Sequence, residues 1–123
     1  MSITVLIVDD EPSARLLVSD ILSDDYDVVE AQDAKQAMEM FATHNPDIVL
    51  SDIKMPGEDG VALLGKIKSV SPKTPVILLT GHGDKVLAVE ALKKGAFDFI
   101  EKPFEDEEIV SATQRAAHGL RLE

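Results

Sequence analysis

Four short apolar runs in this chain each lead into a residue that can do chemistry. "ITVLIV" (3–8) is followed by Asp9, Asp10 and Glu11, and "DIVLS" (47–51) by Asp52. "PVILLT" (75–80) closes on Thr80, and "FDFI" (97–100) is followed by the pair Lys102-Pro103. Carboxylates brought together repel, and each drifts toward protonation unless a cation sits among them. Hard oxygen donors without His or Cys suit Mg²⁺, Mn²⁺ or Ca²⁺. Mg²⁺ keeps several waters and takes few protein ligands, so Asp9, Asp10 and Asp52 fit it; they are too few for a typical Ca²⁺ site. Asp52 stands alone at its strand end and is the candidate nucleophile for an aspartyl phosphate. Lys102 supplies a positive charge for a carboxylate or phosphate oxygen, and Thr80 a hydroxyl for the same purpose.

These residues meet only if the runs that carry them lie side by side. The chain alternates strand-like runs with segments of helical period. Strands are expected at 3–8, 27–31, 47–51, 75–80 and 97–100. Ala14, Leu17, Val18, Ile21 and Leu22 give the first helix its inner stripe, and Ala34, Ala37, Met38 and Phe41 the second, which "HNP" (44–46) ends. A third helix is expected over 60–70 and a fourth over 84–95, with Asp84 as N-cap and Gly95 as stop. The last helix turns Ile109, Thr113, Ala116, Ala117 and Leu120 inward, and Glu105 to Glu108 sit at the positive end of its dipole. Five such units make an α/β fold: a (βα)5 doubly wound, five-stranded parallel sheet, flavodoxin-like, in the order 2-1-3-4-5. In such a sheet the ligand site lies beyond the carboxyl ends of the strands, between strands 1 and 3.

The 123 residues suffice for one domain, read here as 1–121, with Leu122-Glu123 set aside as a cloning scar. The formal charge of −11 argues against direct binding of nucleic acid through its phosphates. There is no cysteine, no membrane-length apolar run and no basic, apolar leader, which together suit a cytoplasmic location. "GHGD" (81–84) lacks the spacing of a nucleotide loop and reads as a turn. His44, His82 and His118 fall in separate segments, and Phe41, Phe97 and Phe104 read as packing residues. Val86, Leu87, Val89 and Leu92 spread over more than one face of the fourth helix, as core or as an exposed partner surface. Glu58 and Asp59 are assigned to solvent and helix capping.

In "VLIVDDEPSAR", "PDIVLSDIKMPGEDG", "PVILLTGHGD" and "GAFDFIEKPF", taken in order, the chain resembles the receiver domain of bacterial two-component response regulators. The last two stretches bear a weaker resemblance to receivers attached to σ54-dependent transcription activators. The family resemblance implies a switch in which Asp52 accepts a phosphoryl group from a sensor histidine kinase or phosphotransfer protein. Asp10 would ligate Mg²⁺ (or Mn²⁺) directly, Asp9 largely through water, and Lys54 through its backbone carbonyl. Thr80 and Lys102 would bind phosphate oxygens, Phe99 would turn inward on activation, and the Lys102-Pro103 bond would be cis. Such a protein is not an enzyme on other molecules; it assists its own phosphorylation and dephosphorylation. Its output, and a homodimer, would use the surface of helix 4, strand 5 and helix 5. Lys54 and His82 stand where the family tunes phosphoryl lifetime, and Phe99 lacks the hydroxyl that many relatives carry there as Tyr. No effector segment follows the last helix, so a stand-alone receiver and the receiver of a longer regulator are both in view. The rival readings are an aspartate-nucleophile phosphatase, a flavodoxin-like cofactor binder and a phosphate-independent interaction module. A phosphatase would want a DxD after strand 1 and a cap, and a flavin binder a Ser/Thr/Gly-rich loop there in place of "DDEPSAR".

Overall fold

The computed structural model describes residues 2–121, so the scar expected at 122–123 lies outside the described residues. The elements run β1 (Thr4–Val8), α1 (Pro12–Leu22), β2 (Asp27–Ala31), α2 (Ala34–His44) and β3 (Ile48–Asp52). There follow α3 (Gly60–Val70), β4 (Val76–Thr80), α4 (Lys85–Lys93), β5 (Asp98–Glu101) and α5 (Asp106–Arg121). All strand pairs are parallel and their order is β2-β1-β3-β4-β5. The three most continuously apolar strands are therefore the central ones, each covered on both faces.

Alternation along the strands builds two cores. Leu6, Val8, Val49, Val76 and Leu78 point to one side, against Ala34, Ala37 and Phe41 of α2 and Leu63, Leu64 and Ile67 of α3. Val5, Ile7, Ile48, Leu50, Ile77 and Leu79 point to the other, against Val18 and Leu22 of α1 and Ile109, Ala112, Ala116 and Ala117 of α5. Each fully buried Leu or Ile contributes roughly 1.5–3 kcal/mol. These layers hold the strand ends in place.

Differences from the sequence reading have local causes. Asp47 is outside β3: its carboxylate accepts the Thr4 amide at 2.9 Å, and Asp52 closes the strand instead. Leu17 borders the α1 stripe and is half exposed. Phe97 is exposed rather than packed, whereas Phe41 is buried and Phe104 lies against the α1/α5 core. α4 is shorter than expected, ending before Gly95, whose φ of +106° turns the chain into β5. Only Ala88 and Ala91 of α4 are buried; Val86, Val89 and Leu92 are exposed, and Leu87 is partly covered. Asp84 precedes α4 but does not cap it with its side chain. α3, by contrast, is capped by Asp59, which accepts the Ala62 amide at 2.9 Å, while Glu58 pairs with Lys66.

Gly60 fixes how closely α3 approaches the end of β3. Its amide donates to the Ile53 carbonyl at 2.8 Å. A Cβ at this position would stand 2.6 Å from the Asp52 carbonyl oxygen and 2.8 Å from the Ile53 Cα, both backbone atoms that cannot rotate away. Gly60→Ala is expected to destabilise the domain by about 2–3 kcal/mol. Urea unfolding measures it, and a loss within error of zero would refute this close approach.

Candidate functional site

The carboxyl edge of the sheet gathers the acids of β1 and β3. The β1 ladder runs one residue past the strand, with the Asp9 amide donating to the Ala31 carbonyl at 3.1 Å, and so carries Asp9 into the interior. Asp9 is 2% exposed, Asp10 is exposed, and one carboxylate oxygen from each of Asp9, Asp10 and Asp52 lies within 4.8 Å of the others. β5 delivers the counter-charge: Lys102 Nζ donates to Asp52 Oδ2 at 3.0 Å. The Lys54 amide reaches Asp52 Oδ1 at the long distance of 3.4 Å. The Lys102-Pro103 bond is cis.

Asp9 is the least comfortable of the three. Its Oδ1 accepts the Glu11 amide at 3.0 Å, while its Oδ2 is buried with no donor among the described residues. Burial, and then repulsion from Asp52 and Asp10, push its carboxyl above the usual range; the Glu11 amide and Lys102 pull the other way. Three carboxylates facing one ammonium leave an excess of negative charge, and a buried oxygen lacks a partner. Hard oxygens with an excess of negative charge fit a small divalent cation.

Thr80 is buried at the end of β4, with its hydroxyl donating to the Ile100 carbonyl at 3.4 Å. It is turned toward β5 here and makes no hydrogen bond to Asp52. Phe99, partly buried on the α4 side of the sheet, lines a cavity of about 260 Å³ together with Thr80, His82 and Lys85. The structure thus brings Asp9, Asp10, Asp52 and Lys102 together, and sets Thr80 and Phe99 around a neighbouring space.

The contacts of two side chains, Arg15 and Lys54, carry no signal in the sequence. Arg15 in α1 donates to the Asp9 carbonyl at 2.7 Å and pairs with Glu30 at 2.9 Å, fastening the backbone that presents the acids. Lys54 sends its ammonium to Asp84 Oδ1 at 3.0 Å, an ion pair rather than an aligned hydrogen bond. Neither pairing leaves a spacing signal, because each joins separate segments.

A doubly wound parallel sheet with acids at the β1 and β3 ends, a hydroxyl at the end of β4 and a Lys-Pro pair after β5 defines a class, and the sequence agrees with it. The profile of the response regulator receiver domain matches residues 5–114, and the chain belongs to that family. It is 44% identical over 125 residues to the nitrogen assimilation regulatory protein NtrX of Azorhizobium caulinodans, covering 99% of this chain and 28% of that protein. It is 41% identical over 113 residues to the DNA-binding transcriptional regulator NtrC of Escherichia coli, covering 91% of this chain and 24% of that one. The chain thus spans about a quarter of the length of these relatives. A receiver domain protein from Clostridium thermocellum superposes with a TM-score of 0.94 at 32% identity, covering 98% of both chains. Among the described residues, no helix is long and apolar enough to cross a membrane.

The raised pKa of Asp9 has a definite sign for stability. The folded chain holds that proton more tightly than the unfolded chain, so the carboxylate costs stability at neutral pH. The cost vanishes as pH falls below the unfolded Asp value. Asp9→Asn is therefore expected to stabilise the metal-free protein at pH 7 by about 1–2 kcal/mol. The gain should shrink toward pH 3 and in millimolar Mg²⁺, both read by chemical denaturation. A loss of stability at pH 7 without divalent ions would contradict the assignment.

Proposed function

We propose that this chain is a phosphorylation-dependent switch of a two-component phosphorelay. A sensor histidine kinase or phosphotransfer protein would supply the phosphoryl group. One observation carries the reading: Asp52, alone at the end of β3, is held by Lys102 at 3.0 Å beside the acids of β1. In the transfer an Asp52 carboxylate oxygen forms a bond to phosphorus. The bond from phosphorus to the donor nitrogen or oxygen breaks, and the electron pair leaves with the donor, which takes up a proton. Lys102 follows the charge from the carboxylate to a phosphoryl oxygen. Asp9, Asp10, Asp52 and the Lys54 carbonyl would hold Mg²⁺ (or Mn²⁺), which offsets negative charge on the transferred group. Hydrolysis of the acyl phosphate by water returns Asp52 to its carboxylate. The chain thus assists its own modification and its reversal.

The same reading assigns the switch. The Thr80 hydroxyl holds the Ile100 carbonyl by a long bond and exchanges it for a phosphoryl oxygen. Phe99 then turns into the space that Thr80 leaves, since both line one cavity. The displaced surface is that of α4, β5 and α5, where Val86, Val89, Leu92 and Phe97 are exposed. We assign homodimer contacts and output to that face; nucleic acid is not bound by this domain directly.

Incubation with acetyl phosphate and Mg²⁺ is expected to add one phosphoryl group to the intact mass. Asp52→Asn should abolish the adduct, and Lys102→Ala should slow its formation about a hundredfold. No adduct with acetyl phosphate, phosphoramidate or a phosphorylated histidine donor would end this reading.

A further inference from the structure

The Asp84 side chain does something other than start a helix. It is 4% exposed although it stands at a loop–helix junction. Its Oδ2 accepts the Gly81 amide at 2.7 Å, and its Oδ1 faces the Lys54 ammonium at 3.0 Å. Burial alone would raise its pKa; the Gly81 amide and Lys54 outweigh that and hold it below the usual carboxylate value. The first turn of α4 receives no side-chain cap from Asp84 and carries no other acid. The helix is anchored to the body by two buried alanines and a partly covered Leu87. An element so lightly packed depends on what holds its first turn.

Lys54 belongs to the other side of the site. Its amide lies 3.4 Å from Asp52 Oδ1, so its side chain springs from the loop that carries the phosphoacceptor. That side chain is 66% exposed. We propose that the Lys54–Asp84 ion pair is a latch, holding the start of α4 against the phosphoacceptor loop until a phosphoryl group on Asp52 draws the Lys54 ammonium away. The competition is one of charge: a phosphoryl group brings about 1.5–2 negative charges beside Lys54, against the single charge of Asp84. Released from Lys54, Asp84 keeps only the Gly81 amide, and the β4–α4 junction can move. Asp84 is in this sense a positioning residue, and the inference rests on the phosphoacceptor reading above.

A double-mutant cycle separates the latch from a merely structural role. The readout is affinity for beryllofluoride, a phosphoryl mimic, at fixed Mg²⁺. Asp84→Asn keeps an acceptor for Gly81 but gives up the competing charge, so it should bind at least about threefold tighter, and this gain should vanish in a Lys54→Met background. Equal affinity in Asp84→Asn, or the same gain in both backgrounds, overturns the latch while the phosphoacceptor reading stands. No binding by the wild-type chain overturns both. Lys54 is exposed, so its variants keep the fold if Asp84→Asn does not. In the unmodified protein, Lys54→Met should speed amide exchange over residues 88–91 about threefold or more, and Lys54→Arg should restore it. Unchanged exchange in Lys54→Met overturns the tether.

Discussion

The structure turns on like charge gathered where it is least welcome. Asp9 is driven into the interior by the β1 ladder, Asp52 closes β3, and Asp10 stands beside them, all with oxygens within 4.8 Å. Lys102 relieves Asp52 at 3.0 Å, and the Glu11 amide relieves one oxygen of Asp9. The remaining oxygen of Asp9 stays buried with no donor among the described residues. The edge is thus left short of positive charge. The apolar layers on both faces of the sheet provide the stability that lets this edge remain frustrated.

The body is not uniformly held. α3 has an Asp59 cap, a full apolar stripe and a glycine that lets it press on the end of β3. α5 buries Ile109 and three alanines, and its Thr113 hydroxyl satisfies the Ile109 carbonyl at 2.8 Å. α4 buries two alanines and shows solvent three large apolar side chains. The element packed most lightly therefore starts beside the site, one loop beyond Thr80. Moving it would undo little packing.

Much of this was written in the chain. Strand-like runs of four to six residues separated by helical stripes fix a parallel sheet, and the continuity of β1, β3 and β4 marks them as central. The acids at 9, 10 and 52 are visible as breaks in those runs, and their shared edge follows from the topology. What stayed hidden was the direction of side chains at junctions. Asp84 has the sequence of an N-cap, yet its carboxylate accepts the Gly81 amide and forms an ion pair with Lys54, since the loop curls back within reach. The apolar residues of α4 fit either core or surface by period alone; the small contact offered by Ala88 and Ala91 places Val86, Val89 and Leu92 outside.

The sequence by itself determined the strand order, the two cores and the set of ionisable groups at one edge. Periodicity along the chain gives the elements, and the right-handed crossovers of a parallel sheet give their order. Only the tertiary structure decided which charge neutralises which. Lys102 reaches Asp52 across 50 residues, Arg15 holds the Asp9 backbone, and Lys54 is bound to Asp84 across the site. Coulomb and hydrogen-bond partners are chosen by distance in space, and that distance exists only once the sheet has formed.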